Sequence, residues 1–294
     1  MTENTGYQSL VAPWLQETAT PAQPTCATEQ AFKEIWHDHI ATESLFNLAL
    51  SGGLLADRLS WVFISAYQAA IRACFPTVNH QGWGSFAVSE DKTGEFPGTH
   101  LSPDNQLSGN KSWLAAAQHL DYLLVTIGPD IRQGVVLIRR DDPALDITVK
   151  PRARFLGDMS QGFACVTGLQ VTDSCRADTT MARHFGMAEP FFVMTASSGY
   201  LLKEARRLQL PETVPQLEQL LAALHALYLQ GFHTDLQQLA ALYETSRGLG
   251  KQFAAASIAA AEGTSADHKA RDWQDNGSLM GLYKRSIEAR LSTD

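Results

Sequence analysis

The first quarter of the chain carries apolar residues at helical spacing. Across residues 31–75 they follow one another at steps of three or four, which is the period of an α-helix with one buried face. The clearest series is Leu55, Leu59, Val62, Ala66 and Ala70. We expect Ser51-Gly52-Gly53 to split this helical segment. Pro76 should end it, because the proline ring removes a backbone donor and clashes with a continuing helix.

The pattern changes across residues 82–171. The apolar runs there are short, and clusters of Gly, Pro, Asn and Asp separate them at intervals that are typical of an antiparallel β domain. The runs are 86–88, 122–127, 135–138, 147–149 and 163–171. Strands are therefore predicted for this part of the chain.

Helical spacing returns after Asp173 and is clearest on two successive faces. The first face consists of Leu217, Leu220, Leu221, Leu224 and Leu227, and the second of Leu236, Leu239, Leu242, Phe253 and Ala260. A short turn at Gln230-Gly231-Phe232-His233 separates the faces, and either Thr234 or Asp235 is the expected N-cap of the second helix. Such helices are buried most simply as an antiparallel bundle.

The order of these parts predicts an α+β fold in which helices and strands are segregated, rather than an alternating βαβ fold. We predict N-terminal helices, a middle antiparallel β domain and a C-terminal up-down helical bundle. The expected divisions are an N-terminal arm at 1–28, a helical segment at 29–80, the β domain at 81–175 and the bundle at 176–294.

Charge limits the partners that the chain can have. Its 294 residues include 23 Lys or Arg and 31 Asp or Glu, which gives a net charge of −8, and no basic run interrupts this balance. A phosphate backbone would meet a repelling surface. We therefore expect no nucleic-acid partner.

The sequence also limits where the protein works. The N-terminus has no basic region followed by an apolar run, so it does not resemble a signal peptide. The most apolar stretches are interrupted before they reach the roughly 18 to 20 uncharged residues of a membrane span. A cytoplasmic protein without a membrane span is expected. The four cysteines form no CxxC pair, which favours reduced thiols, and the scattered histidines predict no metal site.

Three segments of the β region carry a resemblance to a known family. Leu107-Ser108-Gly109-Asn110-Lys111-Ser112-Trp113-Leu114 resembles the L-N-G-x-K-x-W-I segment of the acyl-CoA dehydrogenases. Asp121-Tyr122-Leu123-Leu124-Val125 is similar to their A-D-x-x-x-V strand, and Phe86-Ala87-Val88-Ser89-Glu90 to their Y-C-V-T-E-P strand end. That family runs N-terminal helices, a middle β domain and a C-terminal bundle, with FAD between the last two. The resemblance implies an acyl-CoA dehydrogenase-like fold and FAD as the cofactor.

The resemblance also implies flavin contacts in the β region. Val88 and Ser89 would offer backbone and hydroxyl contacts to the ring edge, and Trp113 would lie against the flavin. Ala115 stands where the family has a Thr or Ser whose hydroxyl bonds to the flavin, so that donor is lost. From the residues alone, Trp113 could equally pack in the core and Ser89 could simply end its strand.

A further cofactor contact is implied in the C-terminal bundle. The family has an Arg-x-x-Phe-Gly motif that reaches the FAD diphosphate of a neighbouring subunit. The counterpart here is Ala205-Arg206-Arg207-Leu208, which keeps the arginine and loses the Phe-Gly pair. Arg206 is thus the candidate ligand, and a solvated helix face is the alternative for both arginines.

The catalytic base is the family feature that this sequence lacks most clearly. A carboxylate must take the α-proton of the acyl group while hydride leaves the β-carbon. Asn276 stands at the apparent place of the family glutamate, and an amide cannot take a proton. Asp275 and Glu189 are substitutes, each with an alternative interpretation as a helix-end or surface carboxylate.

Two functions are consistent with these features. The first is a flavoprotein oxidoreductase that acts on the CH–CH group of an acyl thioester or a related small substrate, with a non-standard or missing base. The second is a catalytically degenerate relative that serves as a binding or assembly protein. In both, the apolar faces of the C-terminal helices predict a homodimer or homotetramer.

Overall fold

The computed structural model resolves the chain into two compact units. The first unit comprises Met1–Ala69 together with Gly186–Asp294, and the second comprises Ala70–Phe185. The structure describes residues 6–15, 25–39, 44–79, 82–260 and 268–292. Parts of the predicted N-terminal arm, residues 1–5 and 16–24, lie outside these ranges. The four predicted divisions stay a prediction.

The helices of the described residues come before and after the strands in the sequence. They are α1 (Gly6–Leu15), α2 (Glu29–His39), α3 (Leu45–Leu55), α4 (Leu59–Cys74), α5 (Phe185–Arg207), α6 (Val214–Gln230), α7 (Leu236–Ala260), α8 (His268–Asn276) and α9 (Lys284–Leu291). No helix in these ranges is long and apolar enough to cross a membrane.

The predicted break at Ser51-Gly52-Gly53 is wrong, because these residues lie inside α3. A Cβ atom on Gly52 would lie 2.4 Å from the Cβ of Ser65 on α4, and one on Gly53 would lie 1.9 Å from the carbonyl oxygen of Ala196 on α5. The glycines therefore let three helices approach closely. This packing outweighs the roughly 1 kcal/mol that a glycine costs in a helix interior.

Helix α4 forms the centre of the first unit. Every residue across 59–69 is buried, as expected for a helix that is surrounded by other elements. On it, Trp61 stacks against Phe32 of α2 with ring centroids 5.2 Å apart. The helix ends at Cys74, two residues before Pro76, as the sequence predicts.

Helices α6 and α7 confirm the predicted turn between two helical faces. Gly231 follows α6 with φ +96°, a conformation that favours glycine. Asp235 is the N-cap of α7, because its carboxylate accepts a hydrogen bond from the backbone N–H of Gln238 at 2.8 Å. All five leucines of the predicted α6 face are buried.

The second unit contains two four-stranded sheets. Their strands are β1 (Gly84–Ala87), β2 (His100–Leu101), β3 (Gln106–Ala115), β4 (Tyr122–Thr126), β5 (Val135–Arg139), β6 (Leu145–Val149), β7 (Gln161–Gln170) and β8 (Arg176–Ala177). One sheet has the order β1-β4-β5-β8 and the other β2-β3-β7-β6. The predicted antiparallel pairing is confirmed for the named strands with one exception: β1 and β4 pair in parallel, because the chain visits the other sheet between them.

Candidate functional site

The segment that follows β1 runs beside β3. The backbone N–H of Ser112 donates to the carbonyl oxygen of Ser89 at 2.8 Å. Ser89 is exposed and Val88 is half-buried. The bond places Ser89 across from the residue that precedes Trp113, so the predicted contacts Val88, Ser89 and Trp113 lie on neighbouring stretches of backbone.

Trp113 is held on β3 by a chain of side-chain hydrogen bonds. Its indole N–H donates to Oε1 of Gln161 on β7 at 3.2 Å, and the Gln161 amide donates in turn to the carbonyl oxygen of Phe155 at 2.9 Å. The indole is only partly buried. It therefore presents a ring of fixed orientation to a ligand.

Ala115 differs from the other three predicted contacts because it is fully buried at the end of β3. Its backbone N–H donates to the hydroxyl of Ser85 on β1 at 3.3 Å. Both the missing hydroxyl and this internal bond remove donors that a flavin would otherwise use.

A buried ion pair fastens the segment after β1 to β3. The Lys111 ammonium, whose side chain is 0% exposed, lies 2.7 Å from Oε1 of Glu90. It also donates to the hydroxyl of Thr126 at 2.8 Å and to the carbonyl oxygens of Gly128 at 2.7 Å and Val88 at 3.3 Å. Every proton of the ammonium thus has an acceptor, as a buried charge requires.

The pair shifts the ionisation of both partners. Burial lowers the pKa of Lys111, and the Glu90 carboxylate opposes this shift. Burial alone would raise the pKa of Glu90, but the bonds from Lys111 and Thr99 outweigh it and lower that pKa. Each group thus favours the charged form of the other. The sequence resemblance includes Glu90 and Lys111 in separate motifs, and only the fold joins them.

Gly109 and Asn110 hold the loop that follows Glu90. Gly109 has φ +128°, and a Cβ there would lie 2.2 Å from the carbonyl oxygen of Gly98. The backbone and side-chain amides of Asn110 both donate to the carbonyl oxygen of Pro97, at 2.9 and 3.0 Å. Three residues of the Gly-Asn-Lys-Ser-Trp stretch therefore build the site's support, while Trp113 forms its surface.

Arg206 makes a hydrogen bond within the first unit. It is half-buried near the end of α5, and its guanidinium donates to the carbonyl oxygen of Leu15 at 2.8 Å. The neighbouring Arg207 pairs with Glu204 at 2.7 Å and donates to the hydroxyl of Ser257 at 2.9 Å. Both arginines thus contact the protein itself.

Asn276 is buried at the end of α8 and is also engaged internally. Its amide donates to Oδ1 of Asp272 at 2.7 Å, and Oδ2 of Asp272 accepts the backbone N–H of Leu59 at 2.8 Å. Leu59 is the first residue of α4, so Asp272 satisfies a donor at that helix end. Asn276 therefore orients a capping carboxylate.

The two carboxylates proposed as substitutes have different surroundings. Asp275 is exposed. Glu189 lies near the start of α5, where burial raises the pKa of its carboxyl to about 7, although interaction with the Tyr283 hydroxyl lowers it in part. Tyr283 is buried, and its backbone N–H donates to the hydroxyl of Tyr243 at 2.9 Å. A carboxylate with this pKa is suited to general-base chemistry near neutral pH.

Comparison with protein-family models and with curated proteins gives no match. Solved structures match over nearly the whole chain. The FAD complex of PigA has a TM-score of 0.66 at 12% identity and covers 97% of this chain and 92% of its own. The prolyl acyl carrier protein oxidase AnaB has a TM-score of 0.65 at 12% identity and covers 97% of each chain. Butyryl-CoA dehydrogenase from Megasphaera elsdenii has a TM-score of 0.63 at 9% identity, covering 89% of this chain and 90% of its own.

The chain has the acyl-CoA dehydrogenase fold. The match includes the helices before the strands, the strands themselves and the helices after them. It confirms the fold that the motifs of residues 86–125 imply. The identities are too low to carry residue roles from these structures to this chain.

The residues of the second unit fit the flavin that the acyl-CoA dehydrogenase fold implies. A flavin needs a flat wall and polar contacts at the ring edge. The hydrogen-bonded, partly exposed Trp113 would serve as such a wall, and the exposed Ser89 would supply such a contact. Ala115 contributes neither. The fit is therefore smaller than the resemblance implies but retains its two main elements.

No pattern in the sequence indicates the second group of buried charges in this fold. Glu204 is fully buried and pairs with Arg207 and with Lys269 of α8. Lys203 is also buried and donates to the carbonyl oxygen of Ala56. Burial and the nearby Lys269 lower the pKa of Lys203 to about 7. Lys203, Glu204 and Arg207 share α5, whereas Lys269 is 65 positions from Glu204, and each residue alone has the character of a surface charge.

Proposed function

We propose that this chain is a FAD-dependent oxidoreductase that acts on the CH–CH group of an acyl thioester or a related small substrate. The observation that carries the proposal is the backbone bond between Ser112 and Ser89, which brings the segment with the exposed Ser89 against the strand that carries the hydrogen-bonded, partly exposed Trp113. The Lys111–Glu90 pair fastens the segment of Ser89 to the strand of Trp113. A preorganised surface of this kind binds a rigid ring system with little loss of side-chain entropy.

When bound, FAD supplies the acceptor for the hydride that leaves the β-carbon. Ser89 would offer its hydroxyl to the polar ring edge, and Trp113 would lie against the ring and shield it from water. Glu189 is the candidate base that would accept the α-proton, and the electron pair of the broken α-C–H bond would become the second bond of the new C=C as hydride leaves the β-carbon. Burial raises the pKa of the Glu189 carboxyl to about 7, which suits a base that works near neutral pH.

Flavin binding tests the first part of the proposal. FAD titrated into the purified protein should lose fluorescence as it binds. Trp113→Leu should weaken binding about tenfold, since aromatic contacts of this size contribute about 1 to 1.5 kcal/mol. Phe96→Leu is the matched control, because Phe96 is half-exposed in the same unit and outside this surface. A Kd of about 1 mM is on the order of the weakest affinity worth measuring. If the folded protein binds no FAD at that concentration, it is not a flavoenzyme.

Bleaching of bound flavin by thioesters tests the second part. The substrate panel should include butyryl-CoA and a prolyl thioester of a carrier protein, because the structures with this fold include enzymes with those names. Glu189→Gln should retain FAD and lose about 10²- to 10⁴-fold in the bleaching rate. In the wild type the rate should rise with pH through about 7, as the carboxyl of Glu189 ionises. Asp275→Asn is the control, and an equal loss there would assign the base to Asp275.

The second candidate is a catalytically degenerate relative that serves as a binding or assembly protein. Two observations favour it. Ala115 is buried and has no side-chain hydroxyl to donate to a flavin, and the Asn276 amide is hydrogen-bonded to Asp272. Protein that binds FAD but shows no bleaching with any thioester of the panel would support this candidate.

We also propose the predicted homodimer or homotetramer, assembled through the C-terminal helices. Leu229 at the end of α6 is 58% exposed and Leu282 is 47% exposed, which are large values for leucine side chains. Sedimentation should give a dimer or tetramer at micromolar concentration. Leu229→Glu should shift it toward monomer, and a wild-type monomer would contradict the proposal.

A further inference from the structure

A cavity opens in the second unit where β4 begins and β5 ends. Its volume is about 450 Å³, large enough for a small organic ligand. Tyr122 of β4 lies in register with Arg139 of β5 at this edge. Leu120, Tyr122 and Leu137 supply the apolar part of its lining.

Four charged residues also line the cavity, and three of them have partners. The Asp121 carboxylate accepts the backbone N–H of Trp83 at 2.6 Å. Arg139 pairs with Asp141 at 3.1 Å. The two aspartates and one of the arginines therefore each have a partner within the protein.

Arg140 is the fourth charged residue, and its surroundings differ. Its backbone N–H donates to the carbonyl oxygen of Asp121 at 3.0 Å, which fixes where its side chain starts. The residue is half-buried, yet among the described ranges its guanidinium makes no ion pair and no hydrogen bond. A guanidinium that is partly removed from water favours an anion that can accept its N–H groups.

We propose that this cavity binds a small organic monocarboxylate with an apolar body. The carboxylate accepts two parallel N–H bonds from the guanidinium of Arg140, and the body lies against Leu120, Tyr122 and Leu137. The neighbouring carboxylates of Asp121 and Asp141 repel a second negative charge, so a monoanion is preferred over phosphate or a dicarboxylate. This site shares no residue with the proposed flavin surface and does not depend on the proposed function.

Calorimetry with 3-phenylpropionate as the probe tests the site. The wild type should bind it with a Kd of about 1 mM or tighter, and Arg140→Met should weaken binding at least tenfold, on the order of one charge-assisted bidentate contact. Arg132→Met is the matched control, because Arg132 is exposed and pairs with Asp130 in the same unit. The neutral analogue 3-phenylpropan-1-ol should not bind. Equal binding of the alcohol, equal competition by inorganic phosphate, or full binding by Arg140→Met would each overturn the proposal.

Chemical modification gives a second test that needs no variant. Phenylglyoxal reacts with accessible guanidinium groups, and peptide mass spectrometry reports each arginine separately. The probe should protect Arg140 in the wild type and leave Arg132 as reactive as before. Protection of neither arginine at saturating probe, or of both equally, would contradict a site at Arg140.

Discussion

The residues that resemble the family's motifs have different surroundings in the two units of this protein. In the second unit, Ser89 is exposed and Trp113 is half-buried, and the Lys111–Glu90 pair fastens the segment of Ser89 to the strand of Trp113. In the first unit, Arg206 and Asn276 stand where a cofactor ligand and a base are expected. There each is bonded to the protein itself, to Leu15 and Asp272 respectively.

This difference shows that two kinds of residue make up a family-like motif. One kind faces the ligand, and its loss changes chemistry while the fold persists. The other kind supports the backbone, and its loss changes stability first. The second unit contains both kinds. In the first unit, Arg206 and Asn276 are of the supporting kind, and Glu189 is the exception. The following experiments test this division.

Lys111→Met should give the largest effect. It leaves Glu90 without its cation and removes one donor from the Thr126 hydroxyl and from the carbonyl oxygens of Gly128 and Val88, so the free energy of unfolding should fall by about 3 to 5 kcal/mol. Urea unfolding measures the change. Lys92→Met, in the exposed loop after Glu90, is the control and should change stability by less than about 0.5 kcal/mol. A small effect of Lys111→Met would mean that the pair does not support the surface.

Asn276→Glu tests the opposite unit. It places a second carboxylate against Asp272 in a buried position, so we expect a loss of about 2 to 4 kcal/mol in unfolding free energy. The loss should be greater at pH 8 than at pH 5, because both carboxylates ionise as the pH rises. Gln274→Glu adds the same charge at an exposed position of α8 and should be nearly neutral. Restored thioester bleaching in a stable Asn276→Glu protein would instead place Asn276 in the active site.

Lys203→Met should stabilise the first unit in a pH-dependent way. The folded-state pKa of Lys203 is about 7, below the unfolded value of about 10.4, so the folded protein binds fewer protons between these pH values. Wild-type stability therefore falls as the pH drops from about 10 to 7 and then levels off. The variant should gain about 1 to 3 kcal/mol at pH 7, after the loss of the bond to Ala56, and the gain should shrink toward pH 10. Lys251→Met, at an exposed position of α7, should show no such trend.

Ser89→Ala should give the smallest effect and should act on the ligand alone. Removal of one hydroxyl contact should weaken FAD binding by about three- to tenfold, with stability unchanged within about 0.5 kcal/mol. Thr148→Ala removes an exposed hydroxyl of the same unit and should leave FAD binding unchanged. Stability loss without loss of affinity would assign Ser89 a supporting role.

The sequence by itself determined the order of helices and strands and the segments that mark the fold. Hydrophobic periodicity places α4, α6 and α7 because each buries a regular face, and the short runs of residues 86–171 mark the strands. It failed at Ser51-Gly52-Gly53, where close packing against Ser65 and Ala196 keeps a helix that local propensity disfavours. A glycine in the sequence does not reveal whether it breaks a helix or lets another helix pack closely against it.

Only the tertiary structure decided which functional-looking residues are free to act. Glu90 and Lys111 are 21 positions apart, and Asp272 is 213 positions from the helix end it caps. Pairings over such distances depend on how whole elements pack, which no local pattern encodes. Burial is likewise a property of the packed neighbours. It raises the pKa of Glu189 and lowers that of Lys203, although in the sequence both are ordinary charged residues of a helix.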